Sequence, residues 1–291
     1  MERFKSTNIA SILGIIGNLF LLIIKSVIGF LTNSQAMIAD AFNSAGDILS
    51  SVMTYVGNKI ASVPSDEDHN LGHGKAEYIY SMLISIFMIL VSFVIIKDSF
   101  ESIINKSSYN FSIWIIVVCL VTIIVKLILY IYTHKLSKKY DNLLIEANSK
   151  DHRNDCLLTT STLIAAILSY YKIYIVDGIV GMLIALYMVL EAFKIFKKSY
   201  DVLMDKAISN EVKDRVYEII KSHDEIKRVI HFNSTPVGYK YQISFTIYVD
   251  GNMTTFESHD IADKLEKEID KKIDEIYLTV IHVNPMQIDK D

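Results

Sequence analysis

The chain has 291 residues, 51% of them hydrophobic and 21% charged, with 3 prolines and a formal net charge of −4. Such an apolar share is high for a single soluble domain and points to membrane spans. The acidic balance argues against nucleic acid as a partner.

A helix of roughly 20 apolar residues crosses a bilayer core. Stretches of about that length occur at 9–31, 36–61, 78–100, 111–133, 143–169 and 174–196. They predict six transmembrane helices. The short leader "MERFKST" does not read as a cleavable signal, so 9–31 is expected to be a retained span. The second and fifth stretches are too polar to face lipid alone and should face protein or water inside the bundle. Cys119 and Cys156 fall in apolar helical runs, which argues against a disulfide framework. Lys and Arg cluster near Arg3, Lys135, Lys138, Lys139, Lys197 and Lys198, which puts both termini in the cytoplasm.

The second stretch holds "ADAFNSAGD". Asn43 and Asp47 are four residues apart and share a helix face, with Asp40 flanking it. The loop "SVPSDEDHNLGHGKAE" offers Asp66, His69 and His73 as a possible metal cluster. In the fifth stretch Asp151 and Asp155 repeat the four-residue spacing. Two helices with two oxygen ligands each could hold one cation. Helix capping or hydrogen bonding between helices is the plainer alternative, above all for Asn43. Buried carboxylates cost several kcal/mol unless a proton or cation neutralises them. That weighs against a purely structural role for Asp47, Asp151 and Asp155. Lys25 and Lys126 lie deep in spans and can snorkel or pair with an acid. Asp177 could relay protons or cap its helix.

After residue 204 the apolar runs shorten. Residues 205–291 carry 17 acids and 12 bases, a net of −5, which leaves +1 for residues 1–204. Two domains follow: 1–204 in the membrane and 205–291 as a small cytoplasmic α+β domain. Its expected order is helix, strand, strand, helix, strand, a ferredoxin-like sandwich. Ser209 is the expected N-cap of its first helix, and "TPVG" the turn between the first two strands.

The motifs "ADAFNSAGDILSS", "VPSDEDHNLGHGKAE" and "DHRNDCLLT", in this order, resemble the cation diffusion facilitator family of divalent-metal exporters. The resemblance covers nearly the whole chain. It implies a homodimer, alternating access and export of metal against proton entry, without a resident cofactor. It puts the transport site on Asn43, Asp47, Asp151 and Asp155, and a loop site on Asp66, His69 and His73. The matching positions of a third site, in the tail, are His231, His259 and His282. Ser244 and Asn284 depart from the family pattern there and weaken that site. An integral protein of the plasma membrane of a prokaryote is the implied setting.

Zinc-transporting relatives typically carry histidine at the position of Asp151. An all-oxygen set instead suits a harder ion such as manganese, with iron(II) the nearest competitor and zinc less favoured. The asparagine and three aspartates also resemble the manganese-exporting branch. If the fifth helix were rotated, His152 could replace Asp151 and favour zinc. Alternatives are a zinc, cadmium or iron exporter on the same fold, and a membrane metallohydrolase using His69 and His73. The hydrolase would need a glutamate base that "HNLGH" lacks.

Overall fold

Each apolar stretch forms a helix, and most helices outrun the stretch that defines them. The computed structural model describes residues 2–32, 35–105, 113–169 and 175–286. Its long helices are α1 (Glu2–Thr32), α2 (Gln35–Ala61), α3 (Ala76–Asn105), α4 (Ile113–Tyr140), α5 (Leu143–Ser169) and α6 (Ile175–Leu203). At 1.5 Å per residue each is about 40 Å long, more than a hydrocarbon core requires. Among the described residues, Glu2–Ile28, Ala76–Glu101 and Ile116–Tyr140 are long and apolar enough to cross a membrane, with mean hydropathies of 2.2, 2.7 and 2.5. The polar residues of α2 and α5 keep both out of that set. The side chains that open α6, Asp177 included, lie outside the described residues.

Outward faces are apolar: Ile16, Phe20, Phe93, Ile128 and Leu190 are all exposed. Inward faces are rich in hydroxyls. Thr7, Ser11, Ser81, Ser92 and Thr133 each donate to the carbonyl four residues earlier, at 2.7 to 2.9 Å. A hydroxyl returned to its own helix is satisfied without water, so small polar residues can line contacts between helices. α1 packs on α2, α4 packs on α5, and α2 meets α5.

Glu77 ties three of these helices together. Its carboxylate accepts from Arg3 of α1 at 2.6 Å and from the backbone N–H of Leu143, which opens α5, at 2.9 Å. Arg3 also donates to the Tyr140 carbonyl, at 3.2 Å. Breaking a buried pair by removing one charge costs about 3–5 kcal/mol. Glu77→Gln should therefore lower the melting temperature of the purified protein clearly. An unchanged melting curve would show that this carboxylate is dispensable.

Pro64–Lys75 groups with Asp201–Asp291 in a second compact unit, while Met1–Val63 and Ala76–Tyr200 form the first. The loop expected between spans is thus part of the tail's unit. Within that unit Lys75 Nζ lies 2.7 Å from Asp205 Oδ1. The tail comprises α7 (Asn210–Lys221), β1 (Arg228–Val237), β2 (Lys240–Asp250), α8 (Thr255–Lys272) and β3 (Ile276–Met286). Ser209 caps α7, and Thr254 with Glu257 closes a capping box on α8. The sheet order is β1-β2-β3, with β1 antiparallel and β3 parallel to β2. Val216 and Ile220 of α7, Leu265 and Ile269 of α8, and Ile243, Phe245 and Ile247 of β2 fill the core.

The turn after β1 differs from expectation. β1 runs on through Thr235 and Pro236, which pair with Gln242 and Tyr241, and the reversal narrows to Gly238–Tyr239. Proline is tolerated because β1 is an edge strand. Gly238 has φ +63°, and a Cβ on it would lie 3.0 Å from Gly74 Cα. Left-handed backbone costs a non-glycine residue about 1–2 kcal/mol before any clash. Gly238→Ala should destabilise the tail by at least that much and speed proteolysis within 64–75. Unchanged cleavage would mean that the close approach to Gly74 is not needed to hold the loop.

Candidate functional site

The polarity that weakens α2 and α5 as membrane helices is concentrated at one point. Asp47 of α2 and Asp151 and Asp155 of α5 are 5%, 8% and 8% exposed. One carboxylate oxygen from each lies within 4.8 Å of the others. The four-residue spacing puts both α5 acids on the face that meets α2. Asn43 lies one turn before Asp47 on α2, as its spacing requires, but its side chain lies outside the described residues, as does that of Asp40. His152 is fully buried yet outside the acid group. α5 is therefore not rotated so as to exchange His152 for Asp151.

A fourth charged residue joins the acids. Lys126 of α4 is fully buried, with Nζ 2.6 Å from Asp47 Oδ2 and 2.5 Å from Asp155 Oδ2. Pairing with an acid was one of two options open to it from the sequence. Its membership of this group was not legible, because a lone lysine in an apolar run carries no spacing signal. The ammonium bridges two of the three carboxylates and so stands between groups that could share a metal ion. Among the described residues, Asp151 Oδ2 has no hydrogen-bond partner. Lys25 of α1 donates to Ser44 Oγ at 3.1 Å. Arg153 lies over the Tyr187 ring, 4.9 Å from its centroid, and Lys150 pairs with Glu146 and Glu191, each at 3.0 Å.

The second cluster is in the loop. Asp66 Oδ1 accepts from the backbone N–H groups of Asp68 at 3.1 Å and His69 at 2.6 Å, which folds the loop into a tight turn. The His69 N–H is the main reason the Asp66 carboxyl is held below its ordinary range, with His73 and the His69 ring adding to it. His69 Nδ1 lies 3.4 Å from Asp66 Oδ1, and His73 Nε2 lies 3.6 Å from Oδ2. His73 Nδ1 lies 3.3 Å from the Pro64 carbonyl. Donation there orients the ring so that Nε2 faces Asp66. One ligand atom from each of Asp66, His69 and His73 lies within 4.8 Å of the others.

The tail histidines do not gather. His231 sits at a bulge in β1 with φ 54°, exposed. His259 of α8 borders a cavity of about 370 Å³ with Asp250, Ser258, Val283 and Pro285. His282 is exposed on β3 opposite Thr246. Among the described residues of one chain, these three form no group of ligand atoms with each other or with an acid. Ser244 lies between Asn233 and Val280 in the sheet register, and Asn284 is opposite Tyr248.

Known proteins match the chain along nearly its whole length. The model of the cation efflux transmembrane domain matches residues 11–204, and that of the cation efflux protein cytoplasmic domain matches 208–286. The manganese efflux system protein MneP of Bacillus subtilis is 28% identical over 98% of this chain and 98% of its own. The cation-efflux pump FieF of Shewanella oneidensis is 27% identical over 93% of this chain and 91% of its own. The manganese efflux system protein MneS of Bacillus subtilis is 27% identical over 99% of both. With both of its regions matched by that family's models, the chain belongs to the cation efflux family, the cation diffusion facilitators.

Proposed function

We propose that this protein exports divalent metal ions from the cytoplasm in exchange for protons, with manganese preferred to iron(II) and zinc. Family membership makes the chain an integral membrane transporter and not an enzyme, which removes the metallohydrolase alternative. The observation that carries the reading is the meeting of Asp47, Asp151 and Asp155 within 4.8 Å inside the helical unit.

The transport site consists of these three carboxylates and the Asn43 carbonyl oxygen. Such a set offers oxygen only, which suits manganese better than zinc, whose sites favour nitrogen or sulfur. Zinc still binds to some degree, because raw affinity follows the Irving–Williams order. Relatives support the choice: two are manganese efflux systems, while a protein named only as a cation-efflux pump is equally similar. Six helices cross the membrane with both termini in the cytoplasm, and two copies form the working unit in the plasma membrane of a prokaryote. Asp66, His69 and His73 make the loop site. Any tail site on His231, His259 and His282 needs ligands from a second copy.

The export cycle follows from the ligands. Metal binds in place of the Lys126 ammonium, and release on the far side lets protons and Lys126 neutralise the carboxylates for the return. The test is metal-by-metal flux into inverted vesicles under an imposed proton gradient. Manganese flux that exceeds zinc and cadmium flux and acidity that dissipates with it are expected. Equal or greater zinc flux would overturn the selectivity. Flux indifferent to the gradient would overturn proton exchange.

A further inference from the structure

Beside the acid group, three fully buried side chains leave polar atoms without a protein partner among the described residues. They are Asn18 Oδ1 of α1, and Asn148 Oδ1 and both ring nitrogens of His152 on α5. Two of them, Asn18 and Asn148, meet at Ser51 of α2. Its hydroxyl oxygen takes the amides of Asn18 at 3.4 Å and Asn148 at 3.5 Å, both at the outer limit of a hydrogen bond. Gly14 of α1 leaves room at this point. A Cβ there would lie 2.7 Å from Ser51 Oγ and 3.6 Å from His152 Nε2, so hydroxyl and ring approach the same spot.

Turning the amides does not satisfy the cluster. Ser51 has one proton and can serve one amide oxygen, and the turned NH₂ groups would become the unpartnered ones. A buried unsatisfied polar group costs about 1–3 kcal/mol, and several together call for something to bind them. Helical spacing relates the cluster to the acids. Ser51 is one turn beyond Asp47, and Asn148 and His152 precede Asp155 on α5. The cluster is thus displaced from the acids toward the end of α2 that leads to Pro64 and the start of α5.

Three neighbouring carboxylates exclude an anion. The lone pairs on offer are two amide oxygens, held in place by the Ser51 hydroxyl, and one imidazole nitrogen, a neutral set fit for a cation that keeps part of its water. We propose that Asn18, Ser51, Asn148 and His152 form a second binding station, at which a partly hydrated divalent metal ion stops next to the transport site. The station rests on the exporter reading. Neutral ligands hold an ion more loosely than carboxylates do, and an ion in transit must be able to leave.

The test uses full-length protein in lipid nanodiscs, carrying His69→Ala and His73→Ala to silence the loop. With manganese(II) bound, electron spin echo spectroscopy should reveal nitrogen coupling to the ion. The modulation should change when histidine is isotopically labelled and vanish in His152→Ala. In vesicles Asn148→Ala should raise the KM for metal about tenfold, and Gly14→Ala, which fills the space without removing a ligand, should do the same. If manganese binds and is transported but nitrogen coupling is absent or survives His152→Ala, the station is wrong and the exporter reading stands. If no divalent ion is bound or carried by the unaltered protein, the exporter reading itself fails.

Discussion

Asp47→Asn and Asp155→Asn are each expected to cut metal flux in vesicles by about 100-fold or more. Changing a residue that only orients a metal ligand already costs about 10–100-fold in metal affinity or activity, and these variants remove a direct ligand charge. Asparagine keeps the shape and can still accept from Lys126, so the loss would be one of charge and not of packing. Each variant also leaves Lys126, which touches both acids, facing one carboxylate fewer. Some loss of stability should therefore accompany the loss of flux. Combining Asp47→Asn with Lys126→Met separates the two, because the pair are direct neighbours and should couple strongly. The double variant should regain stability without regaining transport. Near-normal flux in either single variant would remove Asp47 or Asp155 from the transport site.

Lys126→Met carries the second large effect. Met keeps an unbranched side chain, one atom shorter, but leaves Asp47, Asp151 and Asp155 without the ammonium that bridges two of them. The metal-free protein should lose about 3–5 kcal/mol, the usual cost of breaking a buried pair. A divalent ion should restore much of that. A ligand that binds only the folded state stabilises by RT ln(1 + [L]/Kd), so tighter binding appears as a larger thermal shift. The measurement is the melting temperature in nanodiscs with chelator and with increasing manganese. The variant should start lower and rise further than the unaltered protein. Equal melting in chelator, or an equal rise with metal, would mean that Lys126 is not the counter-ion of the empty group.

Much of the fold was readable because long helices and their caps leave local signals. α5 begins at Leu143, where the polar-then-apolar stretch that predicts it begins. Ser209 and Thr254 cap the tail helices through a hydroxyl that accepts an N–H three residues on, an interaction contained in four residues of sequence. The i, i+4 acids of α5 likewise declare their shared face. Contacts between distant residues leave no such trace. Lys126 and Asp47 are 79 positions apart, and Glu77 and Leu143 are 66 apart. The grouping of Pro64–Lys75 with the tail rests on contacts such as Gly74 against Gly238, and loop composition says nothing of them. The extension of β1 across Pro236 depends on that strand being at the sheet edge, a property of the assembled sheet.

An ammonium fixed to the wall of the bundle also changes which free ions can compete for it. Sodium and potassium bring the same single charge as Lys126 but must shed water and give up translational freedom. The lysine is already desolvated, and its tether gives it a very high effective concentration beside its partners. A monovalent ion therefore gains nothing by evicting it. A divalent ion doubles the attraction to every carboxylate it reaches and can repay the exchange. Abundant cytoplasmic potassium would then be refused without any filter of fixed diameter, by a resident competitor of equal charge.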